Sequence, residues 1–284
     1  MTRRQFLSLS ALAAGGSLLA YSTLWDRHYL EIIERTIWLP RLPEAFHGLR
    51  IAQVSDIHYD QYSEPYFIRE MVRRINALNP EIVVLTGDFV SSGLLPNQIS
   101  ARLSYPCGEI LGGIRCAHRF ASLGNHDVLV GWPVVVDALK VQGIPTLVDS
   151  YVPFERNGSR LWFAGIRSSL DDSPDLGKAL PAAAGPNEPI ILLAHEPDFA
   201  VEVVKRNKVD LMLSGHTHGG QIRLPFIGTP RMMLAKGGQR FVHGHFNIGP
   251  MQLYVNRGIG TVKIPARVLC PPEITLITLQ PAES

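Results

Sequence analysis

The sequence predicts a layered α/β protein, and three observations support this class. Short apolar runs such as 81–85 and 209–213 are typical of strands buried in a sheet. Segment 66–78 repeats apolar residues at helical spacing. The chain has 284 residues, of which 46% are hydrophobic and 18% charged, enough for one large core. We therefore expect a single domain over residues 26–284, preceded by a separate segment at 1–25.

Composition excludes several classes of protein. A net charge of +2 without a Lys/Arg cluster argues against a nucleic-acid partner. The three cysteines are Cys107, Cys116 and Cys270, an odd number with no Cys-x-x-Cys motif, so no disulfide framework or thiolate zinc site is indicated. A single Cys107–Cys116 bridge stays open if the domain is exported, although three small buried side chains are the commoner case.

Residues 1–25 are a candidate export signal or membrane anchor. Arg3 and Arg4 precede 21 uncharged residues, 5–25, which resemble a twin-arginine signal and are long enough to cross a bilayer. No small-x-small cleavage site follows, so an uncleaved anchor and a removed signal both remain open, as does a buried helix of the domain. The positive-inside rule places the N-terminus in the cytoplasm and the domain outside.

The remaining elements follow from local patterns. Segment 29–39 is β-rich and partly alternating, which predicts an edge strand. Asn79-Pro80 ends the helix at 66–78, and Asn157-Gly158 predicts a hairpin. The other predicted strands are 49–54, 81–85, 119–123, 145–148, 151–155, 160–164, 189–193, 209–213, 221–224, 241–243, 251–255 and 274–279. The other predicted helices are 132–142 and 199–206, with less regular helix and loop in 91–115 and 171–188.

Five of the predicted strands end in polar clusters. These are Asp56-x-His58, Gly87-Asp88, Gly124-Asn125-His126-Asp127, His195 and Gly215-His216-x-His218. Ligand sites of layered α/β proteins lie beyond the carboxyl ends of the strands, so the clusters are expected to meet. Without His126 and Asp127 they still offer two carboxylates, a carboxamide and four imidazoles, too many for one ion with an open position. They suit two divalent ions, which favour displacement at phosphorus; oxygen and nitrogen ligands allow Mn, Fe, Zn or similar metals.

The ordered set of motifs over residues 49–220 resembles the calcineurin-like metallophosphoesterases. The resemblance implies a four-layer αββα sandwich, in which two mixed sheets are flanked by helices. It implies a first metal held by Asp56, His58, Asp88 and His218, and a second held by Asp88 as bridge with Asn125, His195 and His216. It further implies that His126 binds no metal but faces the scissile phosphate, where it protonates the leaving oxygen or stabilises charge. Asp127 is expected to orient His126.

A bacterial branch of this family, membrane-anchored or with twin-arginine signals, is the most similar. The shared stretches are 215–222 with Pro225, and 254–260 followed by Pro272-Glu273-Ile274. Some members of that branch hydrolyse UDP-2,3-diacylglucosamine during lipid A synthesis. We therefore expect a two-metal phosphodiesterase; alternatives are a phosphomonoesterase, a protein or nucleotide phosphatase, and a non-catalytic binding module. The expected location is the bacterial inner membrane with the domain on the periplasmic side, or its cytoplasmic face, where the nucleotide lipid occurs; the oligomeric state is open.

Loop 225–234 follows the histidine pair and is too apolar for a simply solvated loop. It is expected to pack as a lid, to lean on the bilayer, or to line a channel for acyl chains, and the last two favour a lipid-linked substrate. Phe226 and Met232 are candidate substrate contacts, as is Arg223 for phosphate, although surface charge also explains that arginine. His243 and His245 form a second His-x-His pair, for which solvent or loop roles are expected.

Overall fold

The structure is a computed structural model that describes residues 2–60, 64–230 and 234–282. Its strands, in chain order, are β1 Glu31–Leu39, β2 Arg50–Val54, β3 Ile82–Thr86, β4 His118–Ser122, β5 Ser150–Arg156, β6 Ser159–Gly165, β7 Ile190–Leu193, β8 Leu211–Ser214, β9 Gly244–Ile248, β10 Met251–Val255 and β11 Glu273–Pro281. Its α-helices are α1 Arg3–Ala20, α2 Pro65–Leu78, α3 Asn97–Arg102, α4 Ser104–Leu111, α5 Asn125–Val141, α6 Leu176–Ala179 and α7 Ala200–Val203.

The strands form two mixed sheets. The first has the order β1-β11-β2-β3-β4; β11 pairs antiparallel with β2, and the other neighbours are parallel. The second has the order β5-β6-β7-β8-β10-β9, with antiparallel pairs at both edges and three parallel pairs between them. The carboxyl ends of β2, β3 and β4 therefore share one edge of the first sheet. Those of β7 and β8 share one edge of the second.

Three apolar clusters separate four layers. Alternate residues of β3 illustrate this: Ile82 and Val84 face the second sheet, while Val83 and Leu85 face α2, α4 and α5. The outer face of the second sheet packs against the segments around α6 and α7. Strands buried on both faces explain why their sequences are apolar throughout rather than alternating. The expected four-layer αββα sandwich is confirmed.

Several elements form where local signals place them. Helix α2 begins with Pro65 in its first turn and ends at Asn79, whose φ of 47° lies in the left-handed region before Pro80. Asn157 and Gly158 both have positive φ, as a two-residue turn between β5 and β6 requires. Strand β1 lies at a sheet edge, as expected. All three cysteines belong to the described residues and are free thiols, with Cys107 and Cys270 buried.

Three predicted strands and one helix boundary were wrong. Segment 145–148 makes a single bridge, from Thr146 to Ala121, and segment 221–224 makes only isolated bridges, so neither is a continuous strand. Segment 241–243 precedes β9 rather than forming a strand. Helix α5 begins at Asn125 instead of 132, because a kink at Gly131, with φ of 109°, joins two helical segments. Pro133 falls just after the kink, where its missing N–H costs little.

The N-terminal helix projects from the two sheets. Arg3–Asp26, which is α1 and a π-helical turn, is long and apolar enough to cross a membrane by length and composition, as signal sequences also are. Only 7% of its apolar window is buried, which argues against a buried helix of the domain. Its end is fixed to the C-terminal part of the chain: Arg267 N donates to Ser22 O (3.0 Å), and Cys270 N donates to the Asp26 carboxylate (3.2 Å).

Candidate metal centre

The five polar clusters meet where the carboxyl ends of the strands from both sheets converge. Two hydrogen bonds join the sheets at this edge. Gln53 Nε2 donates to Ser214 O (2.9 Å), and His195 Nδ1 lies 2.6 Å from Thr86 O. A carbonyl oxygen can only accept, so Nδ1 of His195 carries a hydrogen and Nε2 presents a lone pair. The expected convergence is therefore observed, and it orients one imidazole toward the centre.

Asp56, His58 and His218 form the first group of possible ligands. One ligand atom from each lies within 4.8 Å of the others, and all three residues are buried. The Nε2 atoms of His58 and His218 are 3.1 Å apart, and His218 Nε2 is 3.3 Å from Asp56 Oδ1. Two imidazole nitrogens and a carboxylate oxygen pointing at one another fit a divalent cation between them.

Asp88, His195 and His216 form a second group of the same kind. His195 Nε2 lies 2.9 Å from Asp88 Oδ2. His216 Nε2 lies 2.7 Å from Lys236 O, so its hydrogen points there, and Nδ1 then presents a lone pair to Asn125 Oδ1 at 3.0 Å. Two acceptors facing each other at this distance suit a cation between them. The Asn125 oxygen therefore joins the second group.

Asp88 lies between the two groups. Its Oδ2 atom is 2.9 Å from His195 Nε2 and 3.4 Å from His58 Nε2. Asp56 Oδ1 is farther from the same two nitrogens, at 3.8 and 3.9 Å. A bridging carboxylate must reach both ions, so the geometry favours Asp88 over Asp56 for this role.

Several features of these residues fit metal ions. Nε2 of His195 is buried and has no hydrogen-bond partner among the described atoms, although it faces a carboxylate. Burial lowers the pKa of His58 to about 3 and holds that of His218 well below its usual range, so both imidazoles are neutral ligands. Burial opposes ionisation of Asp88, but His195 and His126 keep its pKa well below the ordinary value. The donor set is ready to bind cations without losing protons at these three side chains.

His195 differs from His58 and His218. Burial lowers the pKa of its imidazole, but the carboxylates of Asp88 and Asp56 outweigh burial and raise the pKa well above the ordinary value. The two carboxylates therefore favour positive charge at this position, which a divalent cation would supply.

Left-handed backbone conformations shape the ligand loops. Asp56, His58, Asp88, His216 and His218 all have φ between 50° and 72°. Such conformations cost non-glycine residues on the order of 1–3 kcal/mol and concentrate at functional sites. Backbone hydrogen bonds between the loops hold them, for example His58 N to Asp88 O at 3.0 Å. A Cβ on Gly258 would lie 2.6 Å from the Cβ of Asp56, which is too close for two carbon atoms. Glycine at this position therefore allows the 256–260 stretch to pack against the first ligand loop.

His126 lies beside the first group and is partly exposed. Its ring centroid is 4.7 Å from that of His58, with the rings perpendicular. The backbone N–H of Ser92 donates to His126 Nδ1 (2.8 Å), and the Ser92 hydroxyl lies 2.9 Å from the same atom. Because Nδ1 accepts, the hydrogen of the neutral ring is on Nε2, as a proton donor needs. His126 also falls within 4.8 Å of His58 and Asp88 ligand atoms, so its geometry permits metal binding as well.

Asp127 does not contact the His126 ring, and the expected orienting role was wrong. Its carboxylate instead accepts hydrogen bonds from the backbone N–H groups of Asp88 (2.8 Å), Phe89 (2.9 Å) and Gly124 (2.9 Å). Burial and the Asp88 carboxylate raise the pKa of Asp127 to about 7, against the N–H groups of Gly124 and Phe89. Asp127 therefore ties the Asp88 loop to the start of α5, since a carboxylate in the first turn can bond N–H groups that have no helical partner.

Sequence reasoning missed two residues at the site. Ser92 acts through its backbone N–H, for which no side-chain motif exists. Arg267 is fully buried, and its Nη2 atom donates to Gly260 O (2.6 Å) and Arg257 O (2.9 Å) and lies 3.5 Å from His218 Nδ1. Its distance of 49 residues from His218 in the chain leaves no local signal.

Two of the expected substrate contacts, Arg223 and Phe226, belong to the described residues. The guanidinium of Arg223 contacts His243, with 3.2 Å between Nη1 and Nε2, which gives this histidine a partner. His245 contacts Gln252 instead. Phe226 is fully exposed, so it does not pack on the domain as a lid. Met232 lies outside the described residues, and the roles expected for it and for Arg223 stay predictions.

The two mixed sheets and the Asp/His groups at their converging edge define a metallophosphoesterase. Residues 49–220 match the calcineurin-like phosphoesterase family, and the chain belongs to that family. The resemblance seen in the motifs is thereby confirmed, together with the class of enzyme.

The relatives extend over nearly the whole chain. The metallophosphoesterase YkuE of Bacillus subtilis is 32% identical over 99% of this chain and 98% of its own length. Phosphodiesterase YaeI of Escherichia coli is 30% identical over 98% of this chain and 99% of its own length. UDP-2,3-diacylglucosamine pyrophosphatase LpxG of Chlamydia muridarum is 30% identical over 95% of this chain and 96% of its own length. The matches to YkuE and YaeI therefore cover all but a few residues of this chain.

Proposed function

We propose that this protein is a membrane-anchored phosphodiesterase that binds two divalent metal ions and cleaves a phosphoester bond of a lipid-linked substrate. The observation that carries this proposal is a narrow cleft whose lining includes His58 of the first ligand group and Arg27 at the end of the N-terminal helix. The polar and charged side chains of the cleft include His58, Asp60, Arg27 and Glu64. A substrate held in a bilayer by its acyl chains can reach the metal centre along this path.

The walls of the cleft suit an amphipathic substrate. Ile57, Phe67, Ile68 and Ile259 supply apolar surface, while Arg27 supplies a cation close to the N-terminal helix. Arg27 is paired with Glu64 at 3.3 Å, so a phosphate that binds there competes with an existing ion pair. Apolar walls with a few charged groups are typical of sites for ligands that have both a head group and a tail.

The metal centre would be held by Asp56, His58, Asp88, Asn125, His195, His216 and His218, with Asp88 bridging. Two divalent ions in such a site polarise phosphoryl oxygens and provide a nucleophile at neutral pH. His126 supplies the proton for the leaving oxygen from Nε2, since the Ser92 N–H occupies Nδ1. Asp127 holds the bridging loop in place through three backbone N–H groups.

The relatives support a diester or anhydride bond as the target. YaeI is a phosphodiesterase, and LpxG cleaves the pyrophosphate of a diacylated nucleotide sugar. Substrates of the UDP-diacylglucosamine type therefore belong to the proposed class. We further propose that α1 anchors the protein in the inner membrane with the domain outside, following Arg3 and Arg4. This location disagrees with a cytoplasmic nucleotide lipid and favours a periplasmic lipid-linked phosphodiester.

A substrate panel tests the proposal. The full chain, loaded with Mn²⁺ or Zn²⁺ in nanodiscs, is assayed with an acylated phosphodiester, its deacylated head group and the corresponding phosphomonoester. Each methylene buried on binding contributes up to about 0.8 kcal/mol, so we expect kcat/KM for the acylated diester to exceed that of the head group by tenfold or more. The Asp88→Asn variant controls for contaminating hydrolases. Equal turnover of head group and lipid would refute the lipid-linked substrate, and preference for the monoester would refute the phosphodiesterase.

A further inference from the structure

Three short segments meet beside the metal centre. We name them the anchor base (residues 21–29), the strap (262–270) and the tip hairpin (224–228). The strap joins the other two: Arg267 N donates to Ser22 O of the anchor base, and Arg223 N, just before the hairpin, donates to Val268 O at 2.9 Å. The Arg27 side chain also reaches Pro265 O. The three segments therefore form one continuous surface.

This surface is unusually apolar for solvent-exposed chain. Nine of the 22 exposed large hydrophobic side chains of the described residues lie in these three segments, and four more lie in α1. The nine are Tyr21, Leu24, Trp25, Tyr29, Leu224, Phe226, Ile227, Ile264 and Leu269. Phe226 is fully exposed and Ile227 is 73% exposed, both in the tip hairpin. Contiguous exposed apolar residues of this kind mark an interaction surface.

Charge and chain connectivity identify the partner. The only acidic residue of the three segments, Asp26, is buried against Cys270 N, whereas Lys263 is exposed and Arg27 is half-buried in its ion pair with Glu64. Apolar and aromatic side chains with basic neighbours suit the interface of a bilayer with anionic head groups. Helix α1 leaves the domain directly from the anchor base, so a helix inserted in a bilayer holds this surface against the lipid.

We propose that the anchor base, the strap and the tip hairpin form a second, peripheral membrane contact that turns the mouth of the metal centre toward the bilayer. This inference rests on the membrane anchor in the proposed function. The substrate cleft opens at the same place, because Arg27 belongs to the anchor base and Thr261 directly precedes the strap. Phe226 and Ile227 insert into the bilayer beside the cleft. Their insertion shortens the distance that a lipid-linked phosphate must move out of the membrane to reach the metal centre.

Site-specific fluorescence in vesicles tests the contact. The full chain with Cys116→Ser receives Phe226→Cys or, as control, Val141→Cys, and is labelled with an environment-sensitive nitrobenzoxadiazole group. Val141 is 67% exposed and is the last residue of α5, which starts at the metal centre. At 1.5 Å per residue, the helix places Val141 roughly 20 Å from that centre. The proteins are reconstituted into vesicles of phosphatidylcholine and phosphatidylglycerol. Nitroxide-labelled lipid should quench position 226 about twofold, because interfacial side chains reach ~5–10 Å into the head-group boundary.

The outcomes separate this inference from the proposed function. Position 141 should stay unquenched, while both proteins float with the vesicles. Flotation with equal, water-like emission at both positions overturns the second contact and leaves the anchor. Failure to float overturns the anchor and the contact together, whereas hydrolysis of a soluble diester tests the phosphodiesterase alone. A Phe226→Ser/Ile227→Ser variant should lose roughly tenfold in kcat/KM on vesicle-embedded substrate and keep its rate on the soluble diester, unlike Val141→Ser, which should change neither.

Discussion

Replacing His126 by alanine should slow hydrolysis of esters with poor leaving groups by about 10²–10³. General acids contribute roughly 10²–10⁴ to rate, and each tenfold corresponds to about 1.36 kcal/mol, so the expected loss is about 2.7–4 kcal/mol. The lower half of the range applies because His126 is partly exposed and water can replace it in part. The Ser92 N–H at 2.8 Å from Nδ1 makes Nε2 the donor, which is the atom that the variant removes.

The assay compares the rates at which the same metal-loaded enzyme hydrolyses two diester substrates. Nitrophenolate leaves without a proton, so the variant should hydrolyse a nitrophenyl ester less than about tenfold more slowly than the unmodified enzyme. Hydrolysis of an alkyl ester should show the full loss of rate. Ser92→Ala is the matched control: it removes the hydroxyl but keeps the backbone N–H, so its kcat should fall by less than about fivefold, in keeping with a net hydrogen-bond contribution of ~1 kcal/mol or less. Metal content is measured for both variants.

Two results would refute the role of His126. Equal losses on both esters would mean that no proton is supplied to the leaving group. Loss of one metal ion in His126→Ala would instead make His126 a ligand, which its proximity to His58 and Asp88 permits. In that case the leaving oxygen would take its proton from solvent, and the pH dependence of kcat would change little on mutation.

Three further outcomes follow from the geometry. Asp88→Asn should remove at least two orders of magnitude of activity on both esters while far-ultraviolet circular dichroism stays unchanged, since a metal-dependent nucleophile is lost; near-normal turnover would rule out Asp88 as the bridge. Asp127→Asn replaces a carboxylate that accepts three N–H groups, so the free energy of unfolding in urea should fall by roughly 2–4 kcal/mol; an unchanged midpoint would exclude this bracing role. Arg3→Lys/Arg4→Lys should abolish export by the twin-arginine route, and normal periplasmic accessibility of this variant to protease would contradict that route.

The ligand positions were predictable because each motif directly follows an apolar strand. Val54, Thr86 and Leu193 end strands in the structure, and Asp56, Asp88 and His195 come two residues later, where side chains from different strands can meet. Convergence at the carboxyl edge is a property of parallel topology and does not depend on the details of packing. Local spacing was therefore sufficient to bring the candidate ligands together.

Other features depend on contacts between distant parts of the chain. The role of Asp127 was wrong because its neighbour in sequence, His126, points elsewhere, and the carboxylate binds backbone of the Asp88 loop. Arg267 lies in the strap, 49 residues after His218 in the chain. The strap has no periodic pattern from which its contact with His218 could be predicted. Segments 145–148 and 221–224 have strand-like composition, but each makes only isolated bridges: Thr146 with Ala121 of the edge strand β4, and Ile222 and Leu224 with loop residues. Tertiary context overrides propensity in such segments.

The central claim is that seven side chains hold two metal ions with Asp88 between them. Anomalous diffraction from crystals of the metal-loaded protein, recorded at the absorption edge of the bound metal, tests it most directly. We expect two peaks roughly 3.5–4 Å apart, one beside His58 and His218 and the other beside His195 and His216. A single peak, or a second peak outside these two groups, would contradict the two-metal centre.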